Sequence, residues 1–241
     1  MKNIVLAAGY ATRLYPLTEN FPKPLLEIKG ISILDRLISD IDSLDDIDSH
    51  LIVSNHKFLP LFEEWAKTSS YTKNITILDD GTNENENRLG AVRDLLLAIE
   101  VERLNDDLLV IAADNILDFS FQGFIDFFKK KQTSMIMTYY EPDFAALKRT
   151  GVIVIDPNHK VVEMQEKPDN PLTHFAVPPF YIYKKEDLRL IKKCVEENCH
   201  ADAPGNLVKW MLNETMFHAW QMPGKRIDIG TLETYYIVNS E

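Results

Sequence analysis

Two regimes of apolar and polar spacing follow one another along this chain. In the first, short apolar runs alternate with stretches whose apolar residues fall three and four apart. Asn3–Ala7 is a short, mostly apolar run and predicts a buried first strand. Ile33, Leu34, Leu37, Ile38, Ile41 and Leu44 then recur at helical spacing, predicting an amphipathic helix within Ile31–Leu44. His50–Ser54 and Ile75–Leu78 read as further strands, with helical spacing over Phe58–Lys67 between them. Asp80–Arg88 is polar and reads as a loop, after which Leu89–Val101 returns to helix. Asp107–Ala113 is a nearly continuous apolar run, as expected of a strand covered on both faces, and it ends in Asp114. Phe121–Lys131 is helical in pattern and Ser134–Tyr140 strand-like. This alternation predicts an α/β fold, Rossmann-like, with helices on both faces of a mixed, mainly parallel sheet in three α/β/α layers.

From Gly151 the rhythm changes. Gly151–Asp156, Val161–Met164 and Phe180–Tyr183 are strand-like and separated by short turns, which predicts antiparallel strands added to the same sheet. Helices are expected at Lys185–Glu197 and around Leu207–Leu212, an edge strand at Phe217–Gln221 and a closing helix at Thr231–Val238. No repeat, low-complexity tract or Gly/Ser linker interrupts the chain, so a single domain over residues 1–241 is expected.

Charge and cysteine content narrow the function classes. Over 241 residues the formal net charge is −11, which argues against general nucleic-acid binding and against a polybasic membrane surface. It leaves room for a nucleotide enzyme, which needs only a local basic pocket. Cys194 and Cys199 are the only cysteines, too few for a thiolate zinc site, and reduced structural thiols are expected. The N-terminus runs directly into the first strand with no signal-type apolar segment, so a cytoplasmic protein with no membrane partner is expected. A homo-oligomer is compatible with the sequence.

Candidate chemistry concentrates after the first strand, in LAAGYATRLYPLTENFPKPLL at Leu6–Leu26. A turn with exposed backbone N–H groups and two cations, Arg13 and Lys23, suits a polyphosphate. Asp114 ends a buried strand, where open α/β sheets place their ligands. Asp228 lies in RIDIGT, after the last predicted strand. Two carboxylates from distant parts of the chain could hold Mg²⁺ beside phosphate oxygens. Taken singly these residues have ordinary explanations: an Asp after a strand caps a turn, Asp228 can pair with Arg226 or Lys225, and a lysine between prolines is a loop residue.

In combination and in order they resemble the sugar-1-phosphate nucleotidylyltransferases, of which glucose-1-phosphate thymidylyltransferase is one type. The opening stretch is similar to that family's G-x-G-T-R-L-x-P-L-T followed by P-K-P. ADNI at Ala113–Ile116, TGVIVID at Thr150–Asp156, EKP at Glu166–Pro168 and DIGT at Asp228–Thr231 continue the likeness across nearly the whole chain. The resemblance implies the nucleotide-diphospho-sugar transferase fold and an enzyme that joins a nucleoside triphosphate to a sugar 1-phosphate and releases pyrophosphate. It implies Mg²⁺ between Asp114 and Asp228, Arg13 on the β- and γ-phosphates, and Lys23 on the α-phosphate and its attacker. Leu6, Ala8, Gly9, Ala11 and Thr12 would line the nucleotide and Gly90 the base. Gly151, Glu166 and Lys167 would take the sugar phosphate.

Several positions depart from the family pattern. Ala11 replaces the second glycine of the fingerprint. Asp80–Gly90 stands where thymidylyltransferases carry a Gln-containing base segment, so the base is open. Ala176-Val177-Pro178-Pro179 replaces A-V-T-G. A cytidylyltransferase activating a phospho-alcohol such as phosphocholine is an alternative, with Trp210, Trp220, Tyr181 and Tyr183 as an aromatic pocket. A catalytically silent nucleotide-sugar-binding regulator is another.

Overall fold

In a computed structural model that describes residues 1–198 and 202–240, the first strand is β1 (Lys2–Leu6). There follow β2 (Glu27–Ile28), β3 (Ile31–Ser32), α1 (Ile33–Asp42), β4 (Ser49–Ser54), α2 (Leu59–Thr68), β5 (Asn74–Asp79), α3 (Ala91–Val101), β6 (Leu108–Ala112) and β7 (Asn115–Leu117). The middle of the chain gives α4 (Gln122–Lys131), β8 (Ser134–Tyr140), α5 (Phe144–Leu147), β9 (Gly151–Ile155), β10 (Val161–Glu166), β11 (Phe175–Val177) and β12 (Phe180–Tyr183). The last elements are α6 (Leu188–Glu196), α7 (Pro204–Met211), β13 (Phe217–Gln221), β14 (Arg226–Asp228) and α8 (Leu232–Ser240). No helix among the described residues is long and apolar enough to cross a membrane.

The chain divides into two compact units. The first comprises Met1–Leu89, Ile111–Phe121 and Pro223–Glu241. Its strands β1, β4 and β5 pair in parallel, Ile4 opposite Leu51 and Leu51 opposite Thr76. Helix α1 begins at Ile33, two residues into the expected Ile31–Leu44 stretch, where the Ser32 hydroxyl accepts the Asp35 backbone N–H at 2.9 Å. Its predicted apolar stripe, Ile33, Leu34, Leu37, Ile38 and Ile41, is wholly buried. Beneath the N-terminal ends of β1 and β4 lies a buried polar knot. Asn3 Nδ2 is 3.0 Å from His50 Nδ1, and His50 Nε2 is 3.3 Å from Asp42 Oδ1. Asp42 also accepts the backbone N–H groups of Thr72 and Lys73. An amide donor on Nδ1 leaves the proton of neutral His50 on Nε2, facing Asp42.

The second unit comprises Gly90–Val110 and Gln122–Met222. Here β9 and β10 are antiparallel, β11 pairs antiparallel with both β8 and β9, and β12 pairs antiparallel with β8. β13 runs parallel to β8, with Phe217 opposite Ser134. The mixed sheet expected from the sequence is therefore present, its antiparallel part beginning near Gly151 as predicted. Short β7, β11 and β14 and the β2–β3 hairpin carry no periodic pattern and were not expected. Cys194, buried on α6, is disulfide-bonded, which overturns the expected reduced thiol there. A disulfide between cysteines five positions apart is strained within one continuous helix, whereas α6 ends at Glu196. Cys199 lies outside the described residues.

Candidate active site

The loop after β1 turns on Ala11, whose φ of 47° and ψ of 42° place it in the left-handed region. A Cβ is disfavoured there by roughly 1–2 kcal/mol. The turn is held because the Ala11 carbonyl accepts both the Leu14 N–H at 2.9 Å and the Thr18 hydroxyl at 2.8 Å. On its N-terminal side Ala8 is fixed by Asn55, whose Nδ2 donates to the Ala8 carbonyl at 2.9 Å. Gly9 is exposed, with open space where a Cβ would stand. Thr12 and Arg13, both exposed, form a short 3-10 turn, so their side chains are free to meet a ligand.

Lys23 is only 9% exposed, held in a second 3-10 turn between Pro22 and Pro24. Its Nζ is 3.3 Å from Asp114 Oδ2 and 4.0 Å from Asp228 Oδ1. The two carboxylates, 114 positions apart in sequence, meet because β7 pairs antiparallel with β14, Asn115 opposite Asp228. The Ile229 N–H donates to the Asp114 carbonyl at 3.0 Å and extends that pairing. Asp228 is the last residue of a strand, not a residue beyond one. Burial pushes the Asp228 carboxyl up, Asp114 adds to the rise, and Lys23, Arg226 and Arg13 oppose it. Two carboxylates brought side by side are the donor set of a divalent-cation site that phosphate and water oxygens complete. Among the described residues no larger cluster of acids, histidines or cysteines suits a metal. Asp114 and Asp228 thus fit Mg²⁺ as a pair.

Behind Asp114 runs a hydrogen-bonded chain that no spacing or motif marks in advance. Arg226 Nη1 donates to Asn115 Oδ1 at 2.6 Å, and Asn115 Nδ2 donates to Asp114 Oδ1 at 2.5 Å. Asn115 is buried.

In the second unit Gly151 pairs with Glu166 across β9 and β10. A Cβ on Gly151 would stand 2.6 Å from Met164 Cε, 3.3 Å from Val177 Cβ and 3.4 Å from Glu166 Oε2, so a side chain there would make the methionine end shift. Glu166 also lies against Gly205 at the start of α7, where a Cβ would fall 2.0 Å from Oε2. Burial raises the Glu166 carboxyl and Lys167 lowers it, Nζ being 3.9 Å from Oε1. Lys167 has a φ of 47°, which swings its mostly exposed side chain off the strand line. Glu166 and Lys167 line a cleft of about 550 Å³ together with Arg93, Asn198, Asp202 and Asn206. Gly90 precedes α3 with a φ of 90°, and its carbonyl accepts the Asp94 N–H at 3.0 Å.

The model of the family described as nucleotidyl transferase matches residues 2–241. The chain belongs to the nucleotidyl transferase family. It is 29% identical over 233 residues to the bifunctional protein GlmU of Methanocaldococcus jannaschii, covering 95% of this chain and 51% of that protein. It is 25% identical over 247 residues to UTP–glucose-1-phosphate uridylyltransferase AglF of Haloferax volcanii, covering 95% of this chain and 91% of that one. The crystal structure of UDP-glucose pyrophosphorylase complexed with UDP-glucose superposes with a TM-score of 0.82 at 20% identity, covering 99% and 97% of the two chains. That likeness shows the nucleotide-diphospho-sugar transferase fold. The chain spans between 51% and 62% of the length of the first three curated relatives it matches.

Of the expected site residues, Leu6, Ala8, Gly9, Ala11, Thr12, Arg13, Lys23, Asp114 and Asp228 lie in the first unit, where Lys23, Asp114 and Asp228 meet, and Gly90, Gly151, Glu166 and Lys167 lie in the second, where Gly151, Glu166 and Lys167 meet. Two groups of residues went unread in the sequence. Arg93 sits in an ordinary helical pattern, and nothing in its spacing marks a cleft. Asn115 and Arg226 lie in three-residue strands too short to show a pattern.

Proposed function

We propose that this chain transfers a nucleotidyl group from a nucleoside triphosphate to a sugar 1-phosphate, releasing pyrophosphate. The observation that carries the reading is Lys23 Nζ lying between Asp114 and Asp228, 3.3 and 4.0 Å away, on the loop that follows the first strand. Asp114 and Asp228 would hold Mg²⁺, which when bound neutralises phosphate charge. Lys23 brings its own positive charge to the same place, where the α-phosphorus would gain a fifth oxygen. Arg13 meets the departing pyrophosphate. Phosphoryl-type transfer is mostly positioning and charge stabilisation, so no nucleophilic side chain is needed.

For the acceptor, Glu166 supplies a carboxylate for sugar hydroxyls, while Lys167 and Arg93 supply two cations facing the same cleft. With Asp202 as a second acid in the cleft, two carboxylates beside two cations suit the hydroxyls and the phosphate of a sugar phosphate ester. The reading of the acceptor as phosphocholine is less well supported. Tyr181 and Tyr183 are buried core residues, Trp210 bonds Glu197 and Trp220 packs on Phe124, so these four do not form a cage for a quaternary ammonium.

Pyrophosphate release, measured with Mg²⁺ against a panel of nucleoside triphosphates crossed with sugar 1-phosphates, tests the proposal. Turnover with at least one pair is expected. Binding of nucleotide sugars without turnover of any pair would make the chain the silent regulator instead.

A further inference from the structure

Arg226 has only N–H donors and Asp114, when ionised, only acceptors. Asn115 sits between them with one of each, so its amide can satisfy both neighbours in one orientation alone: oxygen towards the guanidinium, nitrogen towards the carboxylate. Those two contacts are 2.6 and 2.5 Å. Asn115 is 1% exposed, so water cannot easily replace either. One oxygen of Asp114 is thereby engaged, and the other, Oδ2, is the one that faces Lys23.

We propose that Arg226 is a positioning residue for Asp114, acting through the side-chain amide of Asn115. The inference rests on the reading of Asp114 as a cation ligand. With Arg226 in place, the amide cannot turn over, and Asp114 offers Oδ2 to the cation in a fixed direction. Without it, the amide loses its reason to prefer one orientation. In the reversed orientation its oxygen would confront Asp114 Oδ1, acceptor against acceptor, and the carboxylate would rotate away.

The sign of the effect separates this role from bare electrostatics. Arg226 is a cation close to the pair Asp114–Asp228, and as a charge it opposes a second cation. Its removal on that ground alone would tighten metal binding. As a positioning residue its removal loosens metal binding, by about tenfold or more, as for other groups that orient metal ligands.

The test is Mn²⁺ binding to the full chain with no nucleotide, followed by water-proton relaxation enhancement, in the parent and in Asp114→Asn, Arg226→Met, Asn115→Ala and the double variant Arg226→Met/Asn115→Ala. Weakened binding in Asp114→Asn establishes that the titration reports this site. Given that, Arg226→Met and Asn115→Ala should each raise Kd about tenfold, and the double variant should be no worse than either, because both cut one chain. Unchanged or tighter binding in Arg226→Met overturns the positioning role and leaves the cation reading intact. If Arg226→Met does not fold, Asn115→Ala decides: parental affinity there overturns the proposal. Equal binding by the parent and Asp114→Asn removes the cation reading itself, and this inference with it.

Discussion

Lys23 Nζ lies 3.3 Å from Asp114 Oδ2, in a side chain almost closed to solvent and held between two prolines. A flexible surface lysine would lose rotamer entropy on meeting a phosphate; here the ammonium is already placed, so that cost is borne in folding and not in turnover. Lys23→Ala should therefore reduce kcat by on the order of a hundredfold or more, with a smaller change in the KM for nucleotide. Steady-state kinetics on a variant with parental circular dichroism checks it, and parental kcat would end the assignment of the loop.

Ala11 carries a Cβ in a conformation that favours glycine. Ala11→Gly relieves roughly 1–2 kcal/mol of that strain, while the freer unfolded chain takes back about 0.4–1 kcal/mol. A net gain of roughly 0.5–1 kcal/mol is expected from urea unfolding. Ala11→Val, branched at Cβ, should be clearly destabilised. A loss of stability in Ala11→Gly would mean that the methyl group packs usefully, outweighing its backbone cost.

Gly205 meets Glu166 so closely that a methyl group would stand 2.0 Å from Oε2. Gly205→Ala should therefore displace the carboxylate and behave like Glu166→Ala, raising the KM for sugar 1-phosphate about tenfold, the worth of one good hydrogen bond. The KM for nucleotide should stay near parental in both. Equal rises for both substrates would show that Glu166 supports structure and not the acceptor.

The knot of Asn3, His50 and Asp42 makes the protein acid-sensitive in two stages. Burial lowers the His50 imidazole below its usual range, against the bond to Asp42, which raises it. A depressed histidine contributes stability that is fully present above the unfolded value near 6.5 and declines as pH falls below it. For Asp42 burial works upward, but the Thr72 and Lys73 hydrogen bonds outweigh it and hold the carboxyl at about 2. Its contribution is present above the unfolded value of 3.8 and is lost as pH falls from there towards 2. Urea midpoints should thus fall first as pH drops below about 6.5, and again as it drops below about 3.8. His50→Gln should erase the first decline alone; a first decline that survives it belongs to another group.

Much of this molecule is written in short-range pattern. The α1 stripe, the apolar run ending in Asp114 and the β8 and β13 segments are legible because each buries a face whose period belongs to the element itself. Lys23, Asp114 and Asp228 are legible because their order along the chain resembles a known family. What could not be read depends on partners far away in sequence. Strands β7 and β14 are three residues each, too short to show a period, and exist because segments about 110 positions apart pair. Arg226 looks like a neighbour of Asp228 in the sequence, yet its guanidinium reaches Asn115. The Glu166–Gly205 contact is equally invisible, since nothing in P-G-N at Pro204–Asn206 says what it packs on.

The first unit is assembled from three stretches of chain, and the last of them begins at Pro223. On a ribosome the segment carrying Lys23 emerges first and Asp114 next, while β14 follows only after roughly another hundred residues. Until then β7 has no partner strand, Asn115 has no guanidinium above it and Asp114 has no opposing acid. A nascent or clipped chain ending at Met222 would hold the loop and the acceptor cleft residues yet lack half of the acid pair. A chain that stops short of β14 therefore lacks one of the two acids that the proposed cation site needs, along with the guanidinium proposed to orient the other.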